Sequence, residues 1–213
     1  METTTQNGYI IMTSQQIKSK KRVAEHGEVF TNKREVNAML DLVQDEISRI
    51  RSTVLEPACG EGAFILEVFE RKMATIRQFR WSGWTKEYMI LQAVSSIYGV
   101  DIQKDNVQAC RLNLMNKVSS ELNCASQGFK KALQVIVEKN IVCGNTLTAT
   151  AENGSPLSFS EWFFVSDGEI TRRQYTYQEL LNNGGECNTK HRLYHYGYMR
   201  KHYDQLVPDG IFA

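Results

Sequence analysis

Three short stretches of this sequence combine residue types able to hold a small ligand. The first is Leu55-Glu56-Pro57-Ala58-Cys59-Gly60-Glu61-Gly62-Ala63-Phe64, preceded by the β-type run Thr53 to Glu56 and followed by Phe64, Ile65, Val68 and Phe69 at helical spacing. Gly60 and Gly62 permit positive φ and a close approach of backbone to ligand, and amides at the start of the following helix are free to donate. A carboxylate at Glu56 can accept from, or pair with, a cationic group. The same pattern also serves as a tight strand-to-helix connection in any α/β protein. The second is Asp101, which ends the apolar run Ile97 to Asp101. At the C-terminal edge of a parallel sheet a carboxylate can accept two hydrogen bonds from a ribose diol; alone, it can equally be a helix N-cap or a solvated strand end. The third is Asn145, just past Asn140 to Cys143. Its amide can donate to and accept from a purine edge, or simply be the turn residue of Gly-Asn-Thr.

These residues need strands to carry them and helices to cover the strands. A helix is expected from Asn32, an N-cap with Glu35 three positions on, followed by Val36, Met39, Leu40 and Val43. Strand, glycine turn and helix follow over 53–72, a turn near Ser82-Gly83 leads into another helix, and 97–101 is a second strand. Asp105 to Asn116 reads as helical, Lys131 to Val137 as helical or extended, and 140–143 as a third strand. This alternation implies an α/β protein, a parallel sheet with helices on both faces. Glu161 to Val165 and Ile170 to Tyr177 flank Asp167-Gly168 and read as a β-hairpin, not another strand-helix unit. The organisation expected is a mobile polar arm over 1–20, a ligand-binding domain over 21–148 and a divergent C-terminal extension over 149–213.

Composition narrows the class. The chain has 213 residues with 25 Lys+Arg against 24 Asp+Glu, a formal charge of +1, so it has no global electrostatic footprint for nucleic acid. With 42% hydrophobic and 23% charged residues it falls among globular proteins. No run is long and apolar enough to span a bilayer, and 1–20 does not read as a secretory signal, which makes the cytoplasm the expected location and no membrane partner the expectation. Five widely spaced cysteines without a CxxC pair support neither a disulfide framework nor a zinc knuckle, and no metal site is expected. The basic run Lys18, Lys20, Lys21, Arg22 can touch phosphates, although short charge runs are usually solvated.

Taken together with His26-Gly27-Glu28-Val29-Phe30-Thr31, the three stretches resemble the N6-adenine DNA methyltransferases of bacterial restriction-modification systems, over about residues 22 to 147. The resemblance implies a reduced, Rossmann-like class I methyltransferase fold with S-adenosylmethionine as cofactor. By it, Phe30 and Thr31 lie over the methionine part of the cofactor. The family turn Pro-x-Cys-Gly-x-Gly-x-Phe matches Pro57, Cys59, Gly60, Gly62 and Phe64, and with Glu56 and Ala58 holds the methionine end. Asp101 takes the ribose hydroxyls and Ile102 packs on adenine. Asn145, with Leu147 beside it, stands where the family commonly has Asp facing the adenine amino group; the Asn carbonyl oxygen still accepts.

Beyond Asn in place of Asp at 145, the sequence makes a larger departure from the family. Members continue with an apolar strand and an Asn/Asp-Pro-Pro-aromatic loop that grips the flipped target base. Only Pro57, Pro156 and Pro208 occur here, none adjacent, so that loop is absent, and Ser155-Pro156-Leu157-Ser158 lacks the second proline and the aromatic. Two readings follow: an adenine-N6 methyltransferase subunit that acts on DNA with a second chain or another copy supplying base gripping and recognition, or a catalytically inactive homologue serving as a regulatory or assembly module. The aromatic-basic stretch Arg192 to Tyr203 suits base stacking and phosphate contact, or a helix packing its tyrosines inward. Val207 to Phe212 looks like the turn before a late methyltransferase strand.

Overall fold

The computed structural model describes residues 5–6, 9–10, 18–26, 28–81, 83–164, 170–182 and 194–196. Two short antiparallel strands, β1 (Thr5–Gln6) and β2 (Tyr9–Ile10), pair with each other near the N-terminus. Helices α1 (Lys20–His26), α2 (Lys33–Asp41) and α3 (Gln44–Ile47) precede the sheet. The start of α2 is the expected one: the Asn32 side chain accepts from the amides of Arg34 and Glu35, satisfying two donors that the helix leaves open.

The sheet has the order β3-β4-β5-β6. Strands β3 (Val54–Glu56), β4 (Ile97–Asp101) and β5 (Ile141–Asn145) are parallel, while β6 (Thr150–Ala151) turns back antiparallel to β5. Four helices make the connections: α4 (Ala63–Arg77), α5 (Gly83–Ser95), α6 (Lys104–Ser119) and α7 (Gln127–Asn140). The Lys131 to Val137 stretch, open between helix and strand in sequence, is helical within α7; Ser126 caps it by accepting from the Phe129 amide.

Helices α4 to α7 pack on one face. Side chains alternate across a strand, so Ile97 and Ile141 join Phe69, Met73, Ile76, Leu114, Phe129 and Ile136 in the main core, while Val100 points the other way and meets Leu157 and Phe159, with Tyr98, Val142, Tyr177 and Leu180 around them. That second face is covered chiefly by an antiparallel unit, not by the helical layer expected from sequence. Successive right-handed crossovers that step in one direction place their helices on the same face, and β3, β4 and β5 step in one direction. The covering unit comprises β7 (Ser158–Phe164), β8 (Ile170–Thr176), the short α8 (Tyr177–Asn182) and β9 (Tyr194–Tyr196), with β8 central. The antiparallel pairing predicted around Asp167-Gly168 is present; the turn itself lies outside the described residues. Tyr194–Tyr196 is a strand and not part of a helix. The rest of the aromatic-basic stretch and Val207 to Phe212 also lie outside them.

Two devices hold these layers together. Asn140 donates to the carbonyls of Ser95 (3.1 Å) and Ile97 (3.0 Å) and accepts from the Trp162 indole at 2.8 Å, which locks β7 to the end of α7. Tyr98 reaches through the second face to donate to the Ser160 carbonyl at 2.6 Å. On the helical face, a Cβ on Gly99 would stand 2.6 Å from Ile65 Cδ1 and 3.1 Å from Cys59 Cβ, so a side chain there would force Ile65 and Cys59 to shift.

Candidate functional site

The C-terminal ends of β3, β4 and β5 open on a cleft of about 430 Å3. Eight of the residues singled out in the sequence line it: Phe30, Pro57, Ala58, Gly60, Asp101, Ile102, Asn145 and Leu147. The glycine turn takes the conformation its residues allow, with φ of +53° at Gly60 and +99° at Gly62. Asp101, buried at the end of β4, ties two edges together. Its Oδ2 accepts from the Gly60 amide at 2.9 Å and its Oδ1 from the Gln103 amide at 2.7 Å. Asp101 is neither the N-cap of α6, which is Gln103, nor a solvated strand end; it is a buried carboxylate that lines the cleft.

Other expected residues sit near the cleft without lining it. Thr31 is exposed just beyond Phe30. Glu56 accepts from the Ala58 amide at 3.2 Å, and burial pushes its carboxyl above the usual range. Cys59 is buried behind the turn against Gly99; hydrogen bonding with Cys110, together with burial, drives its thiol pKa up, away from the reactive thiolate. Gly62 begins α4 beside Cys110, and Phe64 packs on the main core. Asn145 answers its sequence-level ambiguity in favour of the turn: its carbonyl oxygen accepts from the amides of Leu147 (2.9 Å) and Thr148 (3.3 Å). That oxygen is committed to backbone and does not stand free as the acceptor expected from sequence.

Sequence reasoning gave no role to Glu25, Gln103, Asn106, Gly144 or Thr146, all of which line the cleft; Glu28 and Val29, which also line it, belong to the His26 to Thr31 stretch. Gly144 carried a usable signal, a glycine inside a strand; a Cβ there would meet the Thr150 carbonyl oxygen at 2.8 Å. Asn106 carried none, because its partners Lys18, Arg22 and Glu28 are far from it in sequence. Arg22 holds both oxygens of Glu28 and reaches Asp105 at 2.7 Å, and Lys18 pairs with Glu61 at 2.7 Å and Asp105 at 3.1 Å. The basic run is thus partly anchored, not free. Those contacts hold the Asp105 carboxyl well below the ordinary carboxylate range and raise Arg22 further; burial pulls the Lys18 ammonium down, but its two carboxylate partners outweigh this.

The cleft's chemistry is uneven. Glu25, Glu28 and Asp101 contribute carboxylates, and no lysine or arginine is among the described residues lining it. Its rim carries exposed apolar side chains: Val29 is 57% exposed, Ile102 55% and Leu147 96%. Such a lining offers a ligand carboxylate acceptors and apolar surface, with the Glu28 charge already met by Arg22. Among the described residues there is no cluster of three or more His, Cys, Asp or Glu placed to hold a metal ion, and no helix long and apolar enough to cross a membrane.

The Ser155-Pro156-Leu157-Ser158 segment lies elsewhere. Pro156 bridges to Thr150, and Leu157 is buried in the second-face cluster. Because β6 folds back on β5, the chain leaves the sheet at the border opposite β3. The Val54 amide donates to the Ser96 carbonyl, so Val54 and Glu56 face β4 while the amide and carbonyl of Leu55 face outward. Below that border a pocket of about 250 Å3 is lined by Leu55, Tyr98, Phe159, Tyr175 and Leu180, with Glu161 at its side.

Comparison with known proteins agrees with this geometry. Residues 11–131 match the family model N-6 DNA Methylase. Over 142 residues the chain is 28% identical to the "Putative type II restriction enzyme and methyltransferase RM.MjaORFECS2P" of Methanocaldococcus jannaschii, a match spanning 64% of this chain and 11% of that protein. Over 162 residues it is 20% identical to the type II restriction enzyme and methyltransferase RM.Eco57I of Escherichia coli, spanning 70% of this chain and 16% of that protein. The chain therefore corresponds to a small part of these relatives' length. No solved structure matches. The family match covers more than half of the chain, from the N-terminal segment through the glycine turn and Asp101 into α7: the protein belongs to the N-6 DNA methylase family.

Proposed function

We propose that the chain is the cofactor-binding part of an adenine-N6 DNA methyltransferase of a restriction-modification system, with a Rossmann-like class I methyltransferase fold. S-adenosylmethionine, which supplies an electrophilic methyl group on a sulfonium, fits the donor set of the cleft. The observation that carries this reading is the pairing of lining carboxylates with an apolar rim and, among the described residues, no lining lysine or arginine. A dinucleotide or nucleoside triphosphate would bring phosphates to the Asp101 carboxylate, whereas a sulfonium nucleoside brings net positive charge; the Glu28 charge is already met by Arg22. Asp101 accepts the ribose hydroxyls, Ile102 and Leu147 pack on the purine, and the turn at Pro57 to Gly60, under the Phe30 ring, holds the amino-acid end. With its oxygen committed to the turn, Asn145 offers the purine its amide N–H groups.

Base gripping comes from a second polypeptide segment. The outward amide and carbonyl of Leu55, beside an apolar pocket, support strand addition at β3 as its entry point. DNA reaches the site through that assembly, and a cytoplasmic location follows from such a substrate. In the absence of the segment, near-attack geometry worth roughly 7 to 11 kcal/mol is not supplied.

Calorimetry with S-adenosylmethionine and its demethylated product, followed by a labelled-methyl assay on unmethylated DNA, tests this. The isolated chain is expected to bind both ligands and to transfer no methyl group; Asp101→Ala should weaken binding by about 1.5 to 3 kcal/mol. Transfer by the chain alone removes the need for a partner. Binding of neither ligand leaves a regulatory or assembly module built on the same fold.

A further inference from the structure

We propose that Asn106 is a positioning residue that ties the Asp101 carboxylate to the segment 18–30, so that seating of this segment and filling of the cleft reinforce each other. The proposal rests on the cofactor reading of the cleft and extends it to a residue in the first turn of α6 that the glycine-turn and strand-end patterns do not include.

Asn106 is 1% exposed, and both ends of its amide are engaged. Its nitrogen donates to Glu28 Oε1 at 2.7 Å and to Asp101 Oδ1 at 3.3 Å. Its oxygen accepts from Lys18 Nζ at 2.7 Å and from Arg22 Nη2 at 3.4 Å. One neutral amide therefore stands between two carboxylates on one side and two cations on the other. A buried amide with this many charged neighbours is costly to leave half-satisfied.

The connectivity gives the amide its consequence. Asp101 also holds the Gly60 amide, so its position sets the glycine turn. Glu28 belongs to the segment that carries Val29 and Phe30 to the cleft, and the Phe30 ring lies 3.8 Å from where a Cβ on Gly60 would be. Arg22 and Lys18 clamp the same segment to Asp105 and Glu61 on α6 and the glycine turn. Removing the amide donor sets Asp101 and Glu28 against each other as like charges and releases the segment from the floor of the site. A ligand that orders Asp101 and packs under Phe30 favours the closed arrangement, and by linkage the closed arrangement favours the ligand.

The test uses the full chain and two variants, Asn106→Asp and Glu28→Gln, with calorimetric titration of S-adenosylmethionine at pH 8 and pH 5.5 and trypsin cleavage within Lys18–Arg22 with and without that ligand. Asn106→Asp is expected to bind at least about tenfold more weakly at pH 8. It should recover part of this at pH 5.5, where the introduced carboxyl, protonated among Asp101, Glu28 and the paired Lys18, Arg22 and Asp105, again has a hydrogen to donate. A merely structural role produces no such recovery. Both variants should be cut faster than the wild type and lose ligand-dependent protection. Wild-type affinity with unchanged protection overturns the proposal. Should Asn106→Asp fail to fold, unchanged protection in Glu28→Gln does the same. Failure of the cofactor reading is distinguishable: the wild type then binds nothing, while cleavage of the ligand-free variants still reports whether the tether exists.

Discussion

The Gly60 amide donates to the Asp101 carboxylate across 2.9 Å, joining residues 41 positions apart at the ends of adjacent strands. Before any ligand enters, the carboxylate that would take a ribose already fixes the turn that would take the amino-acid end. The cleft is thus organised by its own polar groups, and its apolar rim is the part left for a ligand to cover.

Ile102 and Leu147 test the rim. Leu147 is 96% exposed and Ile102 55%, so replacing either by Ser should leave thermal stability within about 0.5 kcal/mol of wild type. Affinity for S-adenosylmethionine should fall by about 1 kcal/mol for each, the value of partly burying such a side chain. Calorimetry of the two variants checks it, and unaltered affinity in both would take the purine away from this rim.

The two glycines of the turn should differ. A Cβ on Gly62, at φ +99°, would lie 2.9 Å from Cys110 Sγ, whereas one on Gly60, at φ +53°, meets only the Phe30 ring at 3.8 Å. Gly62→Ala combines strain with overpacking and should cost about 2 kcal/mol or more, Gly60→Ala about 1 kcal/mol. Urea unfolding of both, and of Gly62→Ala combined with Cys110→Ala, measures this. The second change should return the overpacking part; equal costs for the two single variants would contradict the close contact.

Lys72 is fully buried within α4, and its ammonium donates to the carbonyls of Arg49 (2.9 Å), Ile50 (3.2 Å) and Ser52 (2.6 Å). Lys72→Met takes the ammonium from the Ser52 carbonyl, while the Arg49 and Ile50 carbonyls keep the Ser52 amide and the Ser96 hydroxyl, and should destabilise by about 1 to 3 kcal/mol. Burial lowers the Lys72 pKa from 10.5 to about 8. The folded value lies below the unfolded one, so between about 8 and 10.5 the unfolded chain holds more protons and stability rises with pH. Denaturant unfolding across this range should show a rise in wild type that is missing in Lys72→Met. A parallel course for the two would mean that the three carbonyls keep the ammonium charged throughout.

Much of the site was legible because its signals are local. The glycine pair needs positive φ and takes it, Asn32 caps as its type and spacing require, and Asp101 ends an apolar run at a sheet edge. The helical layer expected on the second face was misjudged because periodicity reveals the elements and not the direction in which strands step. Lys18 and Arg22 looked solvated since their partners, Glu61 and Asp105, are separated from them by long stretches of chain. Asn106 was invisible for the same reason: a polar residue in a first helical turn is ordinary until four charged side chains converge on it. Asn145 was ambiguous in sequence, and two backbone amides decided its oxygen's allegiance.

The outer border of β3, unpaired among the described strands, is also short and quickly blunted. Leu55 offers one outward amide and carbonyl within this three-residue strand; Pro57 beyond it has no N–H, and its carbonyl already accepts from the Thr146 hydroxyl. A stray peptide gains too few backbone bonds there to stay, so runaway self-association through this border is poorly rewarded. Only a visitor whose side chains also fill the hollow between Leu55, Tyr98 and Phe159 would be retained, which makes shape and not backbone the basis of admission.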